Sequence, residues 1–106
     1  MGYAKERGKL EQLLTRINNI GSYDEKNLAN LVDGHEKYSH TIRILKNKEP
    51  ETFINLYEKE LQEVKDGKKL VKESDSDEAR QNNFTVYKDA VIRAIEKTIK
   101  ATKESL

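Results

Sequence analysis

Two histidines, His35 and His40, are the residues of this chain best suited to proton or metal chemistry, and their spacing limits what they do together. Five positions along an ideal helix set two side chains about 140° apart. They do not share a metal ion, which asks for a four-residue step and a third ligand. His35 falls on the apolar rhythm of its segment and, with Tyr38, reads as a core or interface polar group. His40 falls on the polar side, with Lys37 and Arg43 one turn to either side. Carboxylates are abundant but scattered along polar faces, as Glu58, Glu60, Glu63 and Asp66 are. No pair of them converges with a base or nucleophile on an apolar pocket, as acid–base catalysis requires. There is no Glu-x-x-His for a carboxylate-bridged metal pair, no glycine-rich phosphate loop and no Cys. Asp75-Ser-Asp77 has too few oxygens for a calcium loop. These residues imply a protein that is not an enzyme and uses no cofactor, metal or small-molecule substrate.

Cations offer a different chemistry. Lys5, Lys9 and Arg16 share one face of the first helical segment, and Arg93, Lys97, Lys100 and Lys103 share one face of the last. If those segments are neighbours, the two stripes merge into a surface that contacts phosphates without sequence preference. Glu6, Glu11, Asp89, Glu96 and Glu104 interrupt it, as on an ordinary solvated helix surface. The net charge is only +1, so no strong overall field draws the chain to nucleic acid.

Two local likenesses follow from the second segment. His40 between Lys37 and Arg43 resembles the exposed phosphate-accepting histidine of histidine phosphotransfer domains, which are helical bundles of similar size. It departs from that family at once, because Thr41, Ile42, Arg43 and Ile44 follow where Lys at the third position and then Gly are expected. Residues 28–45, with Ala29, Gly34 and Thr41-Ile42-Arg43, are similar to a helix-turn-helix. Its turn would be about two residues too long for that motif, and Asp33 and Glu36 would face phosphate. Neither likeness amounts to membership of a family.

The elements that hold these groups are legible in the apolar spacing. Residues 3–18 read as a helix with Leu10, Leu13, Leu14 and Ile17 inward and Tyr3 one step earlier, closed by Asn18, Asn19 and Gly21 in left-handed conformation. Residues 23–47 follow, opened by a capping box at Ser22 and Glu25, with Leu28, Leu31, His35, Tyr38, Ile42 and Leu45 on one stripe. The stripe passes Asp33-Gly34 without a phase change, which predicts one continuous helix. Residues 50–73 begin at Pro50, which suits a first helical turn, and falter near Gly67 and Lys68. Residues 77–105 start after an acidic loop, with a box at Asp75 and Glu78, and carry Phe84, Tyr87, Val91, Ile95 and Ile99.

Apolar residues are 35% and charged ones 37% of 106 residues, so the chain holds one core in one domain and relies on placement rather than quantity. No apolar run is long enough for a membrane helix and no secretory core follows the start, which predicts a cytoplasmic protein with no membrane partner. Four long helices on short connections predict an all-α antiparallel four-helix bundle running up-down-up-down. The stripes are narrow for a monomer, so completion by a second copy is expected. The sequence implies a non-enzymatic binding or adaptor protein acting through self-association or a protein partner. The alternative is a small nucleic-acid-associated protein using the basic faces.

Overall fold

The computed structural model describes residues 3–104. Helix makes up 88% of the described residues, with no strand among them, which fixes the class as all-α, and four helical rods pack against one another. The rods are α1 (Ala4–Asn18), α2 (Glu25–Lys48), a third formed by α3 (Pro50–Asn55), a π-helical turn (Leu56–Glu60) and α4 (Leu61–Lys72), and α5 (Asp77–Glu104). None is long and apolar enough to cross a membrane.

Contacts between the ends set how the rods lie. Tyr3, before α1, stacks edge-on with Phe53 and donates a hydrogen bond to Glu49, at the far end of α2. Arg7 donates from Nε and Nη2 to the Thr102 side chain and carbonyl, both at 3.1 Å, so the start of α1 lies beside the end of α5. Arg16, near the end of α1, reaches Asp33 in the first half of α2. Asn83 donates to Ser74 across the α4–α5 connection, and Lys97 meets Glu60 much further along both rods. Leu10, Ile17, Leu31, Ile42, Leu45, Phe53, Val64, Val91 and Ile95 are fully enclosed between them. Leu14 is the exception among the inward residues of α1: it is only half-buried, and Leu13 takes the deeper place.

Local signals resolve differently from the sequence expectation at three ends. Asp24, not Ser22, caps α2: its Oδ1 accepts from the Asn27 amide at 2.6 Å, so the helix begins at Glu25. Ser22 instead offers its carbonyl to the Asn27 side-chain amide. At α5 the cap is Ser76, whose hydroxyl accepts from Ala79 N. The end of α1 uses no left-handed residue, since no described residue has positive φ. Asn19 stays right-handed, with its N–H on the Thr15 and Arg16 carbonyls, and just beyond it Lys88 of α5 donates at 2.6 Å to the Ile20 carbonyl. The expected end at residue 105 lies outside the described residues.

Both Asp-Gly pairs lie within unbroken helix. That removes the turn a helix-turn-helix over 28–45 would need. The glycines are present because neighbouring helices sit on them. A Cβ on Gly34 would come within 2.8 Å of Ile17 Cδ1, and one on Gly67 within 2.9 Å of Tyr87 Cα. The irregularity expected near Gly67 occurs two turns earlier, where Leu61 N–H bonds to the Leu56 carbonyl and closes a π turn.

The two glycines are predicted to differ. Alanine raises helix propensity by about 1 kcal/mol at either site. At Gly67 the obstacle is backbone, so Gly67→Ala is expected to destabilise by about 1–3 kcal/mol. At Gly34 it is the tip of Ile17, which can rotate, and Gly34→Ala should stay within about 1 kcal/mol of wild type. Leu31→Ala, which leaves a void in the closed core, should lose about 2–5 kcal/mol. Urea unfolding midpoints measure all three.

Candidate binding surfaces

Two polar pairs lie inside the bundle and a third buries its carboxylate alone. His35, 6% exposed, has Nδ1 2.8 Å from the Tyr87 hydroxyl. Loss of hydration, with Lys68 and Lys65 of α4 adding repulsion, pushes the imidazole down to about 4, so it is neutral at physiological pH. Burial likewise raises both tyrosines that partner this region, Tyr87 and Tyr38. The Thr98 hydroxyl gives its single proton to the Ala94 carbonyl at 2.8 Å. Tyr38 must therefore donate to Thr98 Oγ1, at 3.0 Å. His35 and Tyr38 are thus core groups that join α2 to α5.

The third pair corrects the sequence reading. Glu60, expected on a solvent face, is 5% exposed, and Lys97 Nζ reaches both its oxygens at 3.3 Å. It closes the π turn and sits beside Leu61, which is also buried. The signal was present in the sequence, since Glu60 lies three residues after Tyr57 and four before Val64, on the seam. None of His35, Tyr38, Glu60, Tyr87 or Thr98 lines either surface groove. These five buried groups therefore have no open space in front of them.

The seven cations of the two stripes do not converge. Lys9 and Arg16 line a groove between α1 and α2, and Arg93 and Lys97 line another between α4 and α5. The side of α5 that meets α1 carries Lys88 and Thr102 instead. Four of the seven are ion-paired: Arg16 with Asp33 at 2.8 Å, Arg93 with Glu63 at 3.8 Å, Lys97 with Glu60, and Lys100 with Glu104 at 3.9 Å. Arg16 and Lys37 together hold the Asp33 carboxyl below its usual range. Lys5 and Lys103 are exposed, near the end where α1 starts and α5 finishes. His40 is exposed and lines the α1/α2 groove with Lys37.

The α4/α5 groove carries a feature that the inward stripes did not disclose. Leu70 and Val86, 47% and 50% exposed, are the exposed large hydrophobics among the described residues, and both line it. Gly67 and Ala90 line it too, and at Gly67 α4 lies close against Tyr87 of α5.

Comparison with known proteins finds no match of this chain to a family model, to a curated protein or to a solved structure.

The buried histidine makes stability depend on pH with a definite sign. Below about 6.5 the unfolded chain takes up a proton that the folded chain refuses until about 4. Stability contributed by neutral His35 is complete above pH 6.5 and falls as pH drops toward 4, by at most about 1.4 kcal/mol per pH unit. Asp33 and Glu49 are held low by their hydrogen bonds, so their losses come at more acid pH. Urea midpoints between pH 7 and 4.5 should show the slope in wild type. In His35→Asn, which keeps an acceptor near Nδ1, the slope should be largely gone.

Proposed function

We propose that the chain is an up-down-up-down antiparallel bundle acting in the cytoplasm as a non-enzymatic binding module, whose docking face is the α4/α5 groove. The observation that carries this reading is the pairing of Leu70 and Val86 on one open groove, the other large apolar side chains among the described residues being buried or half-buried. Four outward residues of the third rod, Lys59 of the π turn with Glu63, Asp66 and Leu70 of α4, recur at steps of four, three and four, as do Val86, Ala90, Arg93 and Lys97 of α5. Such steps make two parallel ridges with a furrow between them, which fits a helix.

Charge gives the furrow a direction. Its apolar end is Leu70 with Val86, and Lys59 and Lys97 mark the other, about 16 Å away at helical rise. Lys97 is held by Glu60, whereas Lys59 makes no ion pair among the described residues. The occupant this suits is an amphipathic helix of another protein, with an apolar residue over Leu70 and Val86 and an acidic residue three turns along, facing Lys59. Self-association would use the same face, since the inward stripes are already covered by the rods of one chain.

A second reading retains the nucleic-acid alternative. Lys5 and Lys103 are unpaired cations near one end of the bundle, where the Arg7–Thr102 contact joins α1 to α5. The separation of the two stripes and the ion pairing of four of their members weigh against a continuous phosphate track.

The test uses a displayed library of random helical peptides. Panning against the wild-type chain should return amphipathic sequences with an acidic end, and Leu70→Glu with Val86→Glu should lose them while helix content is unchanged. Retention of binding by that variant would reject the groove as the docking face. Light scattering should give 12.3 kDa for a monomer, and a doubled mass abolished by the same variant would make the occupant a second copy. A shift with single-stranded or duplex nucleic acid at low salt, lost on reversing Lys5 and Lys103, would favour the second reading.

A further inference from the structure

The α1/α2 groove is a separate space of about 550 Å³, within the range of small-ligand pockets. Its floor is Leu13, and its walls carry charge from both helices: Lys9 and Arg16 from α1, and Asp33, Glu36, Lys37 and His40 from α2. Asp33 receives both Arg16, at 2.8 Å, and Lys37, at 3.2 Å, so one carboxylate is shared between two cations. Lys9, on the opposite wall, has no acidic partner among the described residues, and the Gln12 side chain has none for its amide. His40 is exposed on the α2 wall. Three permanent cations thus face two carboxylates, with the His40 imidazole beside them.

We propose that this groove binds a small hydroxylated phosphate monoester, of the sugar-phosphate class. A phosphate monoester carries close to two negative charges and three acceptor oxygens. Lys9 reaches it from α1, and Lys37 and His40 reach it from α2, so donors close on it from opposite walls. The surplus positive charge selects an anion. Glu36 would repel a bare anion but accepts hydrogen bonds from sugar hydroxyls, and Gln12 both donates and accepts. Leu13 and the methylene stems of Lys9 and Lys37 supply the apolar contact that a sugar ring covers. The site lies on a different pair of helices from the α4/α5 groove and stands independently of its role.

Titration followed by amide NMR at low salt tests this, with ribose 5-phosphate, inorganic phosphate and ribose as probes. Ribose 5-phosphate is expected to bind most tightly and ribose not at all, with saturable shifts at Gln12, Leu13 and His40. Lys9→Glu with His40→Ala changes two exposed positions and should weaken binding at least about tenfold. Lys72→Glu, an exposed charge reversal on α4, should leave binding unchanged. Absence of saturable shifts at millimolar ribose 5-phosphate overturns the proposal. An equal loss in Lys72→Glu does so too, because the attraction would then be diffuse. Inorganic phosphate binding as tightly as the sugar phosphate would overturn the hydroxyl part.

Discussion

The structure depends first on how closely α4 lies against α5. At Gly67 the two backbones are near enough that even a methyl group would press on Tyr87 Cα. That approach puts the Tyr87 ring and hydroxyl at the height of His35 and completes the one hydrogen bond the buried imidazole makes. Gly34 does a similar service on the other side of the molecule, where Ile17 of α1 fills the space over α2. A glycine inside a helix loses about 1 kcal/mol relative to alanine. Here that loss is offset by apolar area brought into contact along two helix pairs, since the residues flanking each crossing are buried.

Polar groups in the core then fix which faces meet. A buried hydroxyl or imidazole without a partner costs roughly 1–3 kcal/mol, so each pair opposes any rotation or slide that would separate it. His35–Tyr87 and Tyr38–Thr98 both link α2 to α5, and Glu60–Lys97 links the π turn to α5. No buried side-chain nitrogen or oxygen is left without a hydrogen bond among the described residues. Apolar stripes built mainly of Leu, Ile and Val tolerate many registers. These three pairs, all ending on α5, discriminate among them, at the cost of carrying an imidazole, two phenols and a carboxylate into the interior.

What the sequence could reveal follows from the range of each interaction. Helical periodicity is local, so the four rods, the continuity of α2 through Gly34 and the inward places of Leu31, His35, Tyr38, Ile42 and Val91 were all legible. Caps are legible only to within a residue or two, because Ser22, Asp24 and Glu25 compete for the same amides and the winner depends on Asn27 also reaching the Ser22 carbonyl. The reason for the glycines was not legible. An Asp-Gly pair commonly marks a turn, and nothing within a few residues shows that another helix covers it. Glu60 was missed because a carboxylate on the seam looks like an error in phase until Lys97, 37 positions away, is seen to meet it. The grooves were illegible for the same reason: each is made by two helices, and Leu70 and Val86 become neighbours of one space only through the turn between α4 and α5.

Ion pairing explains why the two basic stripes attract less than their cations suggest. Lysine and arginine stems are long enough to cross from one helix to the next, and on this bundle several do: Arg16 to α2, Lys48 to α1, Arg93 to α4 and Lys97 to the π turn. The exposed pairs among them, Arg16–Asp33 and Arg93–Glu63, contribute at most about 1 kcal/mol each, so their stabilising role is small. Their effect on recognition is larger, because a cation already facing a carboxylate presents little net field to an incoming anion. A basic stripe counted along one helix therefore overstates the attraction of the folded surface. Attraction survives at positions whose neighbours on the adjacent helix are neutral or shared. Lys9, opposite a carboxylate that Arg16 and Lys37 already occupy, is such a position on one side of the bundle, and Lys59, at the far end of the furrow from Leu70, is such a position on the other.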